Sequence, residues 1–120
     1  NDPSESLSGV LITWPAGEDG TPEGYPAGGE NDYYETLSEG TRSPFYSFFH
    51  SPTVLPQARF VHNQNAANWH EVTMEWTPNF IDVFIDGEPS GRTTDSRFIP
   101  NVEHYMTIQL DAKNSNDLGN

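Results

Sequence analysis

The stretch Trp69-His70-Glu71-Val72-Thr73-Met74-Glu75-Trp76-Thr77-Pro78-Asn79-Phe80-Ile81-Asp82-Val83-Phe84-Ile85-Asp86-Gly87 decides the fold class. From 70 to 76 the residues alternate. His70, Val72, Met74 and Trp76 share one face, and Glu71, Thr73 and Glu75 share the other. This is the period-two pattern of a half-buried strand, and it assigns the first set to the core. Thr77-Pro78-Asn79 is a turn, and 80–85 alternates again, Phe80, Asp82 and Phe84 against Ile81, Val83 and Ile85. Asp86-Gly87 then marks a tight hairpin turn.

Working outward, the same grammar recurs. Residues 9–14, Gly-Val-Leu-Ile-Thr-Trp, read as a buried strand, and 15–29 as a long Pro- and Gly-rich loop ending in Ala27-Gly28-Gly29. Loops of that length inside a small domain are commonly functional. Residues 30–36 and 45–50 read as strands, 51–68 as a polar connection with a short strand near Arg59-Phe60-Val61-His62, and 104–110 as a last strand. Trp69 is expected to pack under a loop. No segment shows helical periodicity. The expectation is an all-β fold, an antiparallel β-sandwich, in a single domain over 1–120 with ragged polar ends at 1–8 and 113–120.

Composition narrows the function. Aromatics reach 12%, which disordered chains do not. The formal net charge is −13 with five basic residues, so the clustered Lys and Arg needed for nucleic-acid backbones or an anionic membrane surface are missing. A neutral partner such as a polysaccharide needs no complementary charge. There is no cysteine, which excludes disulfides, zinc–thiolate sites and cysteine nucleophiles. No convergent His spacing suggests zinc; no metal and no cofactor are expected. Residue 1 is Asn, so the lack of a leader says nothing about the compartment.

Chemistry concentrates in Gly29-Glu30-Asn31-Asp32-Tyr33-Tyr34-Glu35. Like charges on one strand face repel, so stability alone does not favour three acids here. In a regular strand Glu30 and Asp32 share a face and Glu35 points away. One extra residue, a β-bulge, brings Glu35 onto that face. Two glutamates leaning together then approach the separation of about 5–5.5 Å that retaining glycosidases use. Asp32 between them shares their proton, and crowding raises one pKa. The spacing also leaves open a solvated acidic strand or a calcium site, although it lacks the EF-hand order and its central Gly.

The run from Gly29 to Glu35 resembles the bulged Gly-Glu-Ile-Asp-Ile-x-Glu signature of glycoside hydrolase family 16, in its laminarinase-like form. Trp14-Pro15 with the following loop resembles the segment leading into that signature, and Phe48-Phe49-His50 the next cleft strand. The Trp69–Pro78 run, the Ile81–Gly87 hairpin, Ile99-Pro100 and Met106 to Leu110 resemble further family segments, in order, so that the likeness covers about 9–112. It implies a concanavalin A-like jelly roll of two antiparallel sheets with a cleft across the concave one. It also implies a secreted, endo-acting, retaining hydrolase of β-1,3- or β-1,4-linked polysaccharide, with Glu30 as nucleophile, Glu35 as acid/base and Asp32 in support.

Two departures stand out. Asn31 replaces an aliphatic residue that faces the intersheet core, and a buried Asn needs hydrogen-bond partners. Family domains are also longer, so a domain incomplete at both ends is expected. Trp14, His50, Gln109 and Asp111 are the expected substrate-binding residues, with Tyr46 and Phe48 on the same side as His50. Phe45, Phe49, Ile108 and Leu110 are expected in the core. His62 and His104 receive no role. The alternatives are a non-catalytic carbohydrate-binding module of this fold, whose relatives generally lose one or both glutamates, or a transglycosylase.

Overall fold

The computed structural model describes residues 7–37 and 42–112. The described residues form eight strands: β1 (Leu7–Pro15), β2 (Glu30–Glu35), β3 (Phe45–His50), β4 (Ala58–His62), β5 (Val72–Trp76), β6 (Ile81–Ile85), β7 (Glu88–Thr93) and β8 (His104–Ala112). One short 3-10 turn, Ser96–Phe98, joins β7 toward β8. The polar ends at 1–6 and 113–120 lie outside the described residues, but Ser8, expected in the ragged entry, is inside β1. Its hydroxyl donates to the Thr36 carbonyl.

All pairings are antiparallel. A five-stranded sheet runs β4-β3-β2-β1-β8, and a three-stranded sheet runs β5-β6-β7. The chain is therefore an all-β sandwich, as its alternation requires. Asp86 and Gly87 both take positive φ, 54° and 81°, which is the two-residue turn whose twist suits a hairpin. β7 has little strand propensity in Glu88-Pro89-Ser90-Gly91-Arg92-Thr93 and is not evident from the sequence. It is held by pairing to β6 and by packing: a side chain at Gly91 would meet the Phe60 ring at 2.5 Å.

The core lies between β3 and β6. Phe45 and Phe49 face Ile81, Val83 and Ile85, with Phe98 delivered by the 3-10 turn. Tyr34, Val72, Met74 and Trp76 close its margin. The three-stranded sheet lies against the β2 and β4 side of the larger sheet. Among the described residues, little covers the matching face of β8. Ile108 and Leu110 do lie on the face away from the acids, in register with Leu11 and Gly9. They are nevertheless 73% and 69% exposed rather than inside. Trp69 is 96% exposed and packs under nothing described.

This distribution sets a contrast. Phe49→Ala should destabilise the chain by about 3–5 kcal/mol in denaturant unfolding. Ile108→Ser should stay within about 0.5 kcal/mol, as at an exposed position. A large loss at Ile108 would show that its face is covered.

Candidate active site

β2 pairs with a neighbour on each side, and both ladders slip at the same place. Against β1, Leu11 faces Tyr34 and Ile12 faces Asp32, so Tyr33 is extra. Against β3, Asp32 faces Phe48 and Glu35 faces Tyr46, leaving Tyr33 and Tyr34 both opposite Ser47. Because cross-strand partners share a face, the bulge sets Glu30, Asp32 and Glu35 beside His50, Phe48 and Tyr46. The bulge falls where the acid spacing predicts it.

The same registers extend the face. Its rows run Gln109–Val10–Glu35–Tyr46–Val61 and Thr107–Ile12–Asp32–Phe48–Arg59. Gln109 is thus two strands from Glu35, about 10 Å away, and its amide donates to Asp111 at 2.5 Å. Trp14 is paired with Tyr105 toward the loop end of this face. One side of its indole is already taken by Tyr25, stacked at 4.5 Å. Phe45 and Phe49 point the other way, into the core. The structure therefore gathers Glu30, Asp32 and His50 closely, sets Glu35 on the same face within electrostatic reach of them, keeps Trp14 and Gln109 on that face at a distance, and leaves Asp111 at the exposed edge.

Burial and charge set the proton balance. Asp32 is 4% exposed, and its Oδ2 bonds His50 Nε2 at 2.8 Å. Its other oxygen is buried with no partner among the described residues. Burial pushes the Glu30 carboxyl up to about 7; the Asp32 charge and hydrogen bond and the Glu35 charge add to this, and His50 opposes it. The His50 ring is raised, chiefly by its bond to Asp32. Glu30, Asp32 and His50 each offer a ligand atom within 4.8 Å of the others. A cation there would have to displace the His50–Asp32 bond and the shared proton.

Three contributors were not evident from the sequence. Arg59 lies over the Tyr46 ring at 4.7 Å, a cation on the rim of the acidic face. Tyr25 covers Trp14. His104 bridges Thr13 Oγ1 at 3.0 Å and the Gly28 carbonyl at 2.9 Å, while Asn31 Nδ2 donates to Thr13 Oγ1 at 3.1 Å. Asn31, fully buried, thus finds a partner for its N–H; its Oδ1 has none among the described residues. This chain ties β2, β1 and β8 to the loop end just before Glu30, where Gly29 takes φ +77° against Pro100. A concavity of about 180 Å³ lies beside it, lined by Gly28, Gly29, His50, Thr53, Arg97 and Pro100 among others.

No family model matches the sequence, and no curated relative does. The structure is similar to the β-glucanase of Bacillus licheniformis, with TM-score 0.66 and 22% identity over 89% of this chain and 47% of that one. The chain has the β-glucanase fold. A native glycosidic hydrolase gives TM-score 0.64 and 23% identity over 89% and 46% of the two chains. A prokaryotic β-1,3-1,4-glucanase (lichenase) from a mouse hindgut metagenome gives 0.62 and 22% over 88% and 44%. The chain spans about half the length of these structures.

Two titrations follow. The folded pKa of Glu30 lies above its ordinary value of 4.5. Its contribution to stability is therefore full below 4.5 and lost as pH rises through 7. Glu30→Gln should thus be more stable than the parent at pH 8 by about 1–2 kcal/mol, after allowing for solvent screening, and no more stable at pH 4. In carboxyl-carbon NMR, His50→Ala should move the Glu30 midpoint upward, because it removes the one group that opposes the shift. A downward move would contradict this account.

Proposed function

We propose that this chain carries the catalytic centre of a secreted, retaining, endo-acting hydrolase of β-1,3- or β-1,4-linked polysaccharide, in glycoside hydrolase family 16. The observation that carries the proposal is the β2 bulge. It spends one residue to collect three mutually repelling carboxylates on a face lined by Tyr46, Phe48 and Trp14, in a fold shared with β-glucanases. Aromatic faces suit sugar rings, and the amide of Gln109 and the carboxylate of Asp111 suit hydroxyls.

In the proposed reaction Glu30 attacks the anomeric carbon while Glu35 gives its proton to the departing glycosidic oxygen. Glu35 then takes a proton from water, whose oxygen attacks the anomeric carbon and breaks its bond to the Glu30 carboxylate, releasing the sugar with its configuration retained. Asp32 supports Glu30 electrostatically, and Glu30 sheds its proton to solvent in order to attack. His50, bonded to Asp32, steadies that carboxylate and presents the rest of its ring to the substrate side. A sugar hydroxyl in place of water gives transglycosylation.

The test is turnover on laminarin, mixed-linkage glucan, agarose and carrageenan, followed by azide rescue with an aryl β-glycoside. Glu30→Ala should give a glycosyl azide of inverted configuration and Glu35→Ala the retained one. Identical products from the two variants would reverse or remove the assigned roles. Saturable binding to one of these glycans with no turnover would make the chain a binding module.

A further inference from the structure

The bulge leaves a backbone group without its ladder partner, and what fills that vacancy lies on the buried side of the sheet. Ser47 stands opposite Tyr33 and Tyr34, and alternation points it inward between Phe45 and Phe49. It is fully buried, and its hydroxyl donates to the Tyr33 carbonyl at 2.8 Å. A hydroxyl has one hydrogen. The 2.8 Å bond between Ser47 Oγ and His62 Nε2 must therefore be donated by the ring. That fixes the Nε2–H tautomer of His62 and leaves Nδ1 as an acceptor, which takes the Ser90 hydroxyl at 2.5 Å. His62 is 1% exposed, and burial lowers its pKa to about 4, so the ring is neutral as the pattern requires.

From this we infer that Ser47, His62 and Ser90 are positioning residues, a polar relay that fixes the β2 bulge from the opposite sheet and so sets Glu35 against Glu30. The relay starts on β7, crosses the core through β4 and ends on one carbonyl of the bulge. Apolar residues at 47 and 62 would fill the space beside Phe45 and Phe49 without the desolvation cost of three polar side chains. The polar chain is explained by its end point. If the bulge closed by one residue, every side chain beyond it would change face, and Glu35 would leave the site. The inference rests on Glu30 and Glu35 being the working pair.

The test uses Ser47→Ala, His62→Leu and His62→Gln, with Phe49→Val as a control that loosens the same core without touching the relay. A Gln amide reaches the position of Nε2 and can donate to Ser47, whereas Leu cannot. Folding is checked by thermal unfolding. The first readout is the Glu30 carboxyl midpoint by NMR, which needs no turnover. With Glu35 gone from the face, Ser47→Ala and His62→Leu should lower it by roughly half a pH unit, while His62→Gln and Phe49→Val keep it near the parent's. The second readout is kinetic: kcat should fall about tenfold or more with KM little changed, and His62→Gln should recover most of it. Folded Ser47→Ala with the midpoint and kcat of Phe49→Val would overturn the relay, as would His62→Gln behaving like His62→Leu. If His62→Leu does not fold, Ser47→Ala and His62→Gln decide. Absence of turnover in the parent on every glycan would count against the hydrolase reading alone, and the Glu30 midpoint would still report on the relay.

Discussion

The extra residue in β2 is the constraint on which the rest depends. Without it, Glu30 and Asp32 would still share a face and repel, and Glu35 would lie on the other face, outside the site. With it, three carboxylates share one face, the buried Asp32 among them. The fold answers this cost locally. His50, in register with Glu30, bonds Asp32, and the Glu30 carboxyl is pushed up until it holds a proton near neutral pH. The site is therefore stable because it does not carry all its formal charge at once.

Where the sandwich has two layers matters as much. The densest apolar packing, Phe45 and Phe49 against Ile81, Val83 and Ile85, lies directly behind β3, on the reverse of the strand that presents His50 and Phe48. Away from it, no described strand of the second sheet lies under β1 and β8. There a polar chain through Asn31, Thr13, His104 and the Gly28 carbonyl does part of the tying that apolar contact does elsewhere. Polar groups hold position through direction, so the loop end before Glu30 is fixed even where little apolar area is buried.

The legible parts of this structure are those governed by near neighbours. Alternation in 70–76 and 80–85, the Asp86-Gly87 turn and the acid spacing each encode a local geometry, and each appears at the expected residues. β7 was hidden because Pro89 and Gly91 speak against a strand, and Gly91 is explained only by the Phe60 ring pressing on it. Ile108 and Leu110 show another limit. Alternation gives the face a side chain points to, not whether anything lies over that face. The histidines show a third, since His62 meets Ser90 across 28 residues and His104 meets Thr13 across 91. Of the candidate site, the shared face of the carboxylates and His50 was readable; Arg59, Tyr25 and the buried bonds from Ser47 through His62 to Ser90 were not.

A nucleophile must be ionised when it attacks, yet Glu30 is held protonated up to about 7 in the free chain. In the proposed reaction the two are reconciled by the charge that develops in the substrate. As positive charge develops at the anomeric carbon, Glu30 gains an opposite charge within a few Å, which lowers a carboxyl pKa by about 1–3 units. The ionised form of Glu30 is then favoured, and its proton leaves to solvent. Glu30 thus becomes charged only as the transition state forms. The burial and the charge crowding that raise its pKa at rest keep an unpaired buried anion from accumulating beforehand.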